Sequence, residues 1–285
     1  ANTVRHCLIA DNEEAGIFYE ISYGLYAQDN VIIGNGFGAG GGSWGAAAGI
    51  ALSSSPDCII ERNLLIGNKE GFNFREQGRK TPRIGQPKGA PEVWVWNHDQ
   101  IIRHNVIAYN RDAQTWGWFD VADERHWPQA MQVTGGKGEG QDKRPAADIA
   151  AEYKEKESAG LAGLSLEKLN ITFANNLYAR DEGQGLFNWG TSWRRHVYYD
   201  DLDAARRQLK LEEGSIIARF FFMDYLTRDF RVPPDSPALK IGAYPRGEVP
   251  GVQLGVLGVT SPEKAGRSTA RPEDVHRVEP VIQTG

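Results

Sequence analysis

Short apolar runs of three to five residues, bounded by Asn, Gly or Asp, recur along the chain. One phrase returns: His6-Cys7-Leu8-Ile9-Ala10-Asp11-Asn12, Asn30-Val31-Ile32-Ile33-Gly34-Asn35, Asn63-Leu64-Leu65-Ile66-Gly67-Asn68 and Asn105-Val106-Ile107-Ala108-Tyr109-Asn110, with a weaker copy at Asn176 to Asp181. Each copy is followed by a second apolar stretch: Gly16 to Glu20, Gly49 to Ser53, Gly71 to Arg75, Trp116 to Asp120, and Gly185 to Trp189. Runs this short, with apolar residues alternating, are strands rather than amphipathic helices. Asn and Gly at their ends suit corners that need tight or left-handed backbone.

The pattern predicts a solenoid of short stacked strands, in which Asn side chains at one point of successive coils form a hydrogen-bonded ladder. The step from Asn12 to Asn35 is 23 residues, about one coil, and later steps of 33, 42 and 71 residues imply loop insertions between strands of constant length. Three insertions are expected, at 34–49, 76–95 and 124–168. The run Ala147 to Glu157 reads as a short surface helix from its Ala, Glu and Lys content. Asp200 to Glu213 reads as another, opened by Asp and stopped by Gly214. Residues 262–285 are a polar tail, leaving one domain over 1–261. A β-sandwich with Asn-rich turns is the alternative, but it would not repeat one phrase so closely.

Composition agrees with a β-rich chain: 33 Gly and 8 Trp in 285 residues. The net charge of −5 and the lack of a basic stripe argue against a nucleic-acid partner. No apolar run approaches the roughly 18 residues of a membrane span. Cys7 and Cys58 lie in apolar repeat segments and read as buried free thiols; two cysteines define neither a disulfide framework nor a four-ligand zinc site. Gly36-Phe37-Gly38-Ala39-Gly40-Gly41 matches G-x-G-x-x-G but opens no helix, so no nucleotide site is expected. His98, His104 and His126 lack a metal-ligand spacing, and His104 beside Asn105 reads as structural. The chain starts inside a coil, so upstream coils or a second chain are expected to cover that end.

The repeat resembles the right-handed parallel β-helix superfamily of pectate lyases and many glycoside hydrolases. Gly16-Ile17-Phe18-Tyr19-Glu20-Ile21-Ser22-Tyr23 resembles a phrase common in its glycan-hydrolysing branches, and Asp229 to Leu239 resembles their closing segment. The likeness covers residues 1 to about 260. It implies an all-β fold, a right-handed parallel β-helix solenoid with long insertions and one or two short helices. It also implies a carbohydrate-active function on a poly- or oligosaccharide. Such a function favours a secreted or periplasmic place, although the chain carries no signal peptide.

Aligning the second strands by sequence puts Glu20, Ser53, Arg75, Asp120 and Trp189 in one outward column, while Ile17, Tyr19, Phe72 and Phe74 face inward. Arg75 and Asp120 are then neighbours. Glycoside hydrolysis needs two carboxyl groups, about 5–5.5 Å apart for retention or 6.5–9.5 Å for inversion. Glu20 and Asp120, three coils apart at roughly 14 Å, are too distant to form that pair. The resemblance to hydrolases with an Asp one coil before a Glu implies that Glu20 is the general acid/base and that its partner lies upstream. Otherwise Asp120 pairs with Glu76, Asp123 or Glu124. The lyase alternative makes Arg75 the base and sets Asp120, Asp123 and Glu124 near calcium, a metal that is otherwise not required. Salt bridging is the plain alternative for both Glu20 and Arg75. Trp44, Trp116, Trp118 and Trp127, with Asn73, are the candidate sugar contacts; Trp94 and Trp96 also lie in or beside insertions, where an exposed ring can stack on a sugar face. A non-catalytic glycan-binding solenoid is the third reading.

Overall fold

The computed structural model describes residues 1–38, 47–76, 79–83, 85–118, 145–161, 167–192 and 195–244. The chain is mostly β, and its strands stack in parallel sheets. The first turn is β1 (Asn2–Arg5), β2 (Leu8–Ala10) and β3 (Ile17–Glu20). The second is β4 (Leu25–Gln28), β5 (Val31–Ile33) and β6 (Ala48–Ser53). The third is β7 (Ile59–Glu61), β8 (Leu64–Ile66) and β9 (Glu70–Arg75). A hairpin, β10 (Arg79–Pro82) and β11 (Glu92–Val95), precedes the fourth turn of β12 (Ile101–Arg103), β13 (Val106–Ala108) and β14 (Ala113–Trp118). Helix α1 (Ala146–Ser158) precedes the fifth, β15 (Thr172–Ala174), β16 (Leu177–Ala179) and β17 (Gly185–Ser192). Then come β18 (Arg195–Tyr199), α2 (Leu202–Leu209), β19 (Ile216–Ile217) and α3 (Pro237–Lys240).

Each turn adds one strand to each of three sheets. These run β1-β4-β7-β12-β15, β2-β5-β8-β13-β16-β19 and β3-β6-β9-β14-β17-β18. Only β18 in the last sheet is antiparallel, and β10 pairs antiparallel with β11. The arrangement is compatible with a β-helix solenoid. The first sheet was not apparent in the sequence, where only two strands per repeat stood out. Its strands, such as Ile59-Ile60-Glu61, alternate too briefly to separate from the neighbouring run.

Two Asn ladders run along the stack as the repeat predicts. In one, Nδ2 of Asn30, Asn63 and Asn105 donates to Oδ1 of Asn63, Asn105 and Asn176 respectively, at 2.9–3.1 Å. In the other, Asn12, Asn35 and Asn68 donate to Asn35, Asn68 and Asn110, and Gln114 receives the last bond, at 2.9 Å. These amides are fully buried from Asn30 onward and Asn35 onward, so each bond replaces hydration that burial removes. The left-handed residue is not the Asn itself but the one before it: Asp29, Arg62 and His104 in one column, Gly34, Gly67 and Tyr109 in the other, all at φ between 52° and 69°. The ladder holds that strained corner even where the residue is Arg or Tyr.

The interior is stacked apolar rows. Ala27, Ile60, Ile102 and Phe173 come from the first sheet, Ile32, Leu65, Ile107 and Tyr178 from the second, and Ile50, Phe72 and Phe187 from the third. Ile17, Tyr19, Phe72 and Phe74 belong to this core, as their alternation predicts. After the last turn, α2 adds Leu202, Ala205 and Leu209 to the same cluster. Its N-cap is Asp201, whose carboxylate accepts from Ala204 N at 2.6 Å, and its end is Lys210 in the left-handed region. The helix is thus shorter than Asp200 to Glu213, because the backbone reverses before Gly214 is reached. Helix α1 exceeds the expected span by one residue at each end.

The second sheet also has apolar residues on its outer side. Val31, Ile33, Leu64, Ile66, Val106 and Leu177 form a second cluster with Phe220, Phe222, Tyr225, Phe230 and Tyr244 from the C-terminal segment. Of the cysteines, Cys58 is buried and Cys7 only partly so, and both are free. Burial pushes the Cys58 thiol up to about 12, so it is inert. No helix among the described residues is long and apolar enough to cross a membrane.

Candidate functional site

The outer side of the third sheet carries the residues singled out in the sequence, but in a shifted register. Glu20 pairs with Ser53, Ser53 with Arg75, Arg75 with Trp118, and Trp118 with Gly190. The register partner of Arg75 is therefore Trp118, and Trp189, which pairs with Gly117, is outside the Glu20 column. At β14 the shift is by two residues, so every side chain keeps its face. Gly117 lies inward over Phe74, where an added Cβ would come within 2.7 Å of a ring carbon. The indoles of Trp116 and Trp118 flank it on the outward side.

Arg75 is buried in this outer layer. Its guanidinium donates to both oxygens of Glu70 at 2.8 Å and lies 4.8 Å and 5.1 Å from the ring centres of Trp116 and Trp118. Asn73 is fully buried and donates to Glu70 Oε2 at 2.5 Å. Trp118 is 5% exposed and donates from Nε1 to the Glu76 carbonyl at 2.6 Å. Glu76 is itself fully buried and accepts from Asn97 N at 2.7 Å. Asn73, Arg75 and Trp118 thus form a packed ionic and aromatic layer rather than an open surface, while Trp116 is half-buried. An Arg held in this way by a carboxylate and two rings is poorly placed to take a proton from a substrate. Trp44, Asp120, Asp123, Glu124 and Trp127 lie outside the described residues.

Glu20 is different. It ends β3 with a third of its side chain exposed (34%), and its Oε1 accepts from Ser53 Oγ at 3.4 Å and lies 3.8 Å from the Arg79 guanidinium. Arg79 begins β10, so the hairpin stands over this end of the sheet. Beside it the structure opens a groove of about 800 Å³ between the hairpin, α1 and the corner that joins the third sheet to the first. Tyr23, Trp94 and Trp96 line it with aromatic surface, and Asp57, Glu92, Glu155, Arg83 and His98 with ionisable groups. The three rings are half-buried, so each keeps a face or edge toward solvent.

Local sequence explains the placement. In β11 the alternation of Glu92-Val93-Trp94-Val95 buries Val95 and leaves Trp94 half-exposed. Lys80 and Lys156 sit 4.7 Å and 5.5 Å from the Trp94 ring centre, and Lys80 also pairs with Glu155, which pins α1 to the hairpin. The rings of Trp96 and His98 are 4.7 Å apart. Trp94 and Trp96 were visible in the sequence as insertion aromatics. Asp57, Arg83, Glu92 and Glu155 carried no signal, and Tyr23 only as the end of the hydrolase-like phrase, since four separate segments of chain bring them together.

At the mouth of the groove Asp57, His98 and Asp99 place one ligand atom each within 4.8 Å of one another. His98 Nδ1 is 2.6 Å from Asp99 Oδ2, and Asn170 Nδ2 donates to Asp99 Oδ1 at 2.5 Å. The hydrogen bonds from Asn170 and His98 hold the Asp99 carboxyl below its ordinary value. Among the described residues this is the group able to hold a cation, and its imidazole suits a borderline metal better than calcium, which takes oxygen ligands. His104 is structural as expected, its Nδ1 lying 2.5 Å from the Ile241 carbonyl.

Compared with known protein families, curated proteins and solved structures, the chain matches none.

Proposed function

We propose that the chain is a right-handed parallel β-helix of the pectate-lyase-like superfamily that binds a carbohydrate chain in the hairpin groove and cleaves it as a glycoside hydrolase, with Glu20 as general acid/base. The observation that carries this reading is the composition of the groove. Three half-exposed rings, Tyr23, Trp94 and Trp96, alternate there with carboxylates, a guanidinium and an imidazole. Sugar rings offer apolar faces bordered by hydroxyls, so they ask for aromatic platforms flanked by hydrogen-bonding groups. Glu20 is three residues before Tyr23, a lining residue of the groove, and its carboxylate lies by Arg79 at the start of the hairpin. Arg79 beside Glu20 is a cation that can orient it.

A second reading, a glycan-binding solenoid without cleavage, is favoured by the surroundings of Glu20. The described contacts of its carboxylate are Ser53 and Arg79, and the second carboxyl group that hydrolysis requires is not among them. The lyase reading is weakened by Arg75, which Glu70 and two indoles immobilise.

The test is Glu20→Gln against the wild-type protein on a panel of polysaccharides, measuring released reducing ends and retention in polysaccharide-containing gels. The hydrolase reading expects activity to fall at least 100-fold, in the range for loss of a general acid, with retention unchanged. Wild-type retention with no reducing ends on any substrate would establish the binding protein instead. Calcium-dependent release of unsaturated uronates would establish the lyase.

A further inference from the structure

We infer that Asp57, His98 and Asp99 bind a divalent transition cation at the mouth of the hairpin groove. The site stands apart from the glycan reading, and no sugar enters its test. Its basis is a third corner column, at the turn from the third sheet to the first. Gly24, Asp57, Asp99 and Asn170 hold the same left-handed corner of four successive turns, at φ between 50° and 71°. Each of the first three donates its backbone N–H to the residue just before the next one. Gly24 donates to the Pro56 carbonyl, Asp57 to that of His98 and Asp99 to that of Leu169, at 2.9–3.1 Å. The corner is therefore stacked in register, with steps of about 4.8 Å.

The side chains of this column break the rule of the Asn ladders. There an amide Nδ2 bridges each step. Here Asn170 Nδ2 bridges one step, to Asp99 Oδ1 at 2.5 Å, but the Asp99 carboxylate has no donor to pass on to Asp57. Two carboxylates thus meet across one step, and like charges that close call for a positive group between them. His98 brings an imidazole to the same place. Its Nδ1 lies 2.6 Å from Asp99 Oδ2, a contact that carries a proton, and one ligand atom of each of the three residues is within 4.8 Å of the other two. A tetrahedral ion with bonds of about 2.1 Å needs its ligand atoms roughly 3.4 Å apart. Asp57 and Asp99 are exposed, so small side-chain rotations close that difference. The cation takes the place of the proton, which leaves to solvent. Asn170 then fixes the Asp99 carboxylate from outside, and the Trp96 ring backs the imidazole at 4.7 Å. One nitrogen with two oxygens favours Zn²⁺, Ni²⁺ or Co²⁺ over Ca²⁺ and Mg²⁺. The lysines of the groove are engaged elsewhere, Lys80 with Glu155 and both Lys80 and Lys156 with the Trp94 ring.

The experiment is titration of the chelator-stripped full chain with NiCl₂, ZnCl₂ and CaCl₂, read by calorimetry and, for Ni²⁺, by quenching of tryptophan emission. The expected result is micromolar binding of Ni²⁺ and Zn²⁺, with Ca²⁺ about 100-fold weaker or more. Ni²⁺ should quench part of the emission saturably, because Trp96 lies against His98. His98→Gln, Asp57→Asn and Asp99→Asn should each weaken Ni²⁺ by about 30-fold or more, and Asn170→Ala by about tenfold. His6→Gln, at a corner of the first turn, should leave the affinity unchanged. Millimolar or weaker binding of both transition ions, calcium bound as tightly as Ni²⁺, or affinities unmoved by His98→Gln and Asp99→Asn would overturn the site. Asn suits a left-handed corner as well as Asp does, so the Asn variants should fold, which their metal-free thermal transitions check.

Discussion

Two parts of the molecule gather aromatic residues outside the stacked turns, and they use them differently. Against the outer side of the second sheet, Phe220, Phe222, Tyr225, Phe230 and Tyr244 are almost wholly buried on Val31, Ile33, Leu64 and Ile66. Phe222 alone packs edge-on against Phe220 at 5.2 Å and Phe230 at 5.3 Å. In the hairpin groove, Tyr23, Trp94 and Trp96 stay half-exposed beside Asp57, Glu92 and His98. The difference lies in the surface beneath. An outward apolar row of Val, Ile and Leu leaves water only by being covered, so the C-terminal rings close it. The groove mixes apolar lining, such as Pro56, Val93 and Ala159, with Asp57, Glu92 and His98, whose hydration a lid would remove. Aromatic content alone therefore does not mark a ligand site.

The largest effect expected on this contrast is on the closed side. Phe222→Ala removes a fully buried ring and should cost about 3–5 kcal/mol of stability, read by urea denaturation. A loss under about 1 kcal/mol would mean that the C-terminal segment does not cover the second sheet.

The next concerns the buried end of the stack. Glu212 is fully buried and accepts from Tyr178 Oη at 2.9 Å, and burial, opposed by hydrogen bonds from Ser215, Tyr178 and Asn176, pushes its carboxyl up to about 7. Its unfolded value is the ordinary 4.5. The folded state then holds a proton that the unfolded state has released between about 4.5 and 7, so this group's contribution to stability is complete below 4.5 and is lost as pH rises to 7. The loss amounts to about 3 kcal/mol. Glu212→Gln should flatten that part of the pH profile and raise stability at pH 8, measured by thermal unfolding at a series of pH values. A Gln variant with an unchanged slope would show that the carboxyl is hydrated.

The smallest effect on folding is expected in the groove. Trp96→Ala should cost about 2 kcal/mol, because its half-exposed ring also packs against the core, yet abolish retention in polysaccharide gels. Strong destabilisation with retention intact would place Trp96 with the closed side and remove it from the ligand surface.

What the sequence by itself determined is the repeat and its chemistry: short alternating strands, inward rows such as Phe72 and Phe74, and Asn ladders. These are legible because each depends on residues a few positions apart, repeated at every turn. Tertiary structure alone decided three further things. The first is the strand register at β14, where the sequence alignment was off by two positions: a two-residue slip keeps every side chain on its face, so alternation alone cannot choose between the two registers. The second is the fate of Arg75 and Asn73, outward by alternation but sealed by Glu70, Trp116 and Trp118. The third is the groove, whose walls come from the corner at Tyr23 and Asp57, the hairpin, and α1. Alternation assigns a side chain to a face, but which distant segment then covers that face depends on the packing of loops between turns, and no local pattern encodes it.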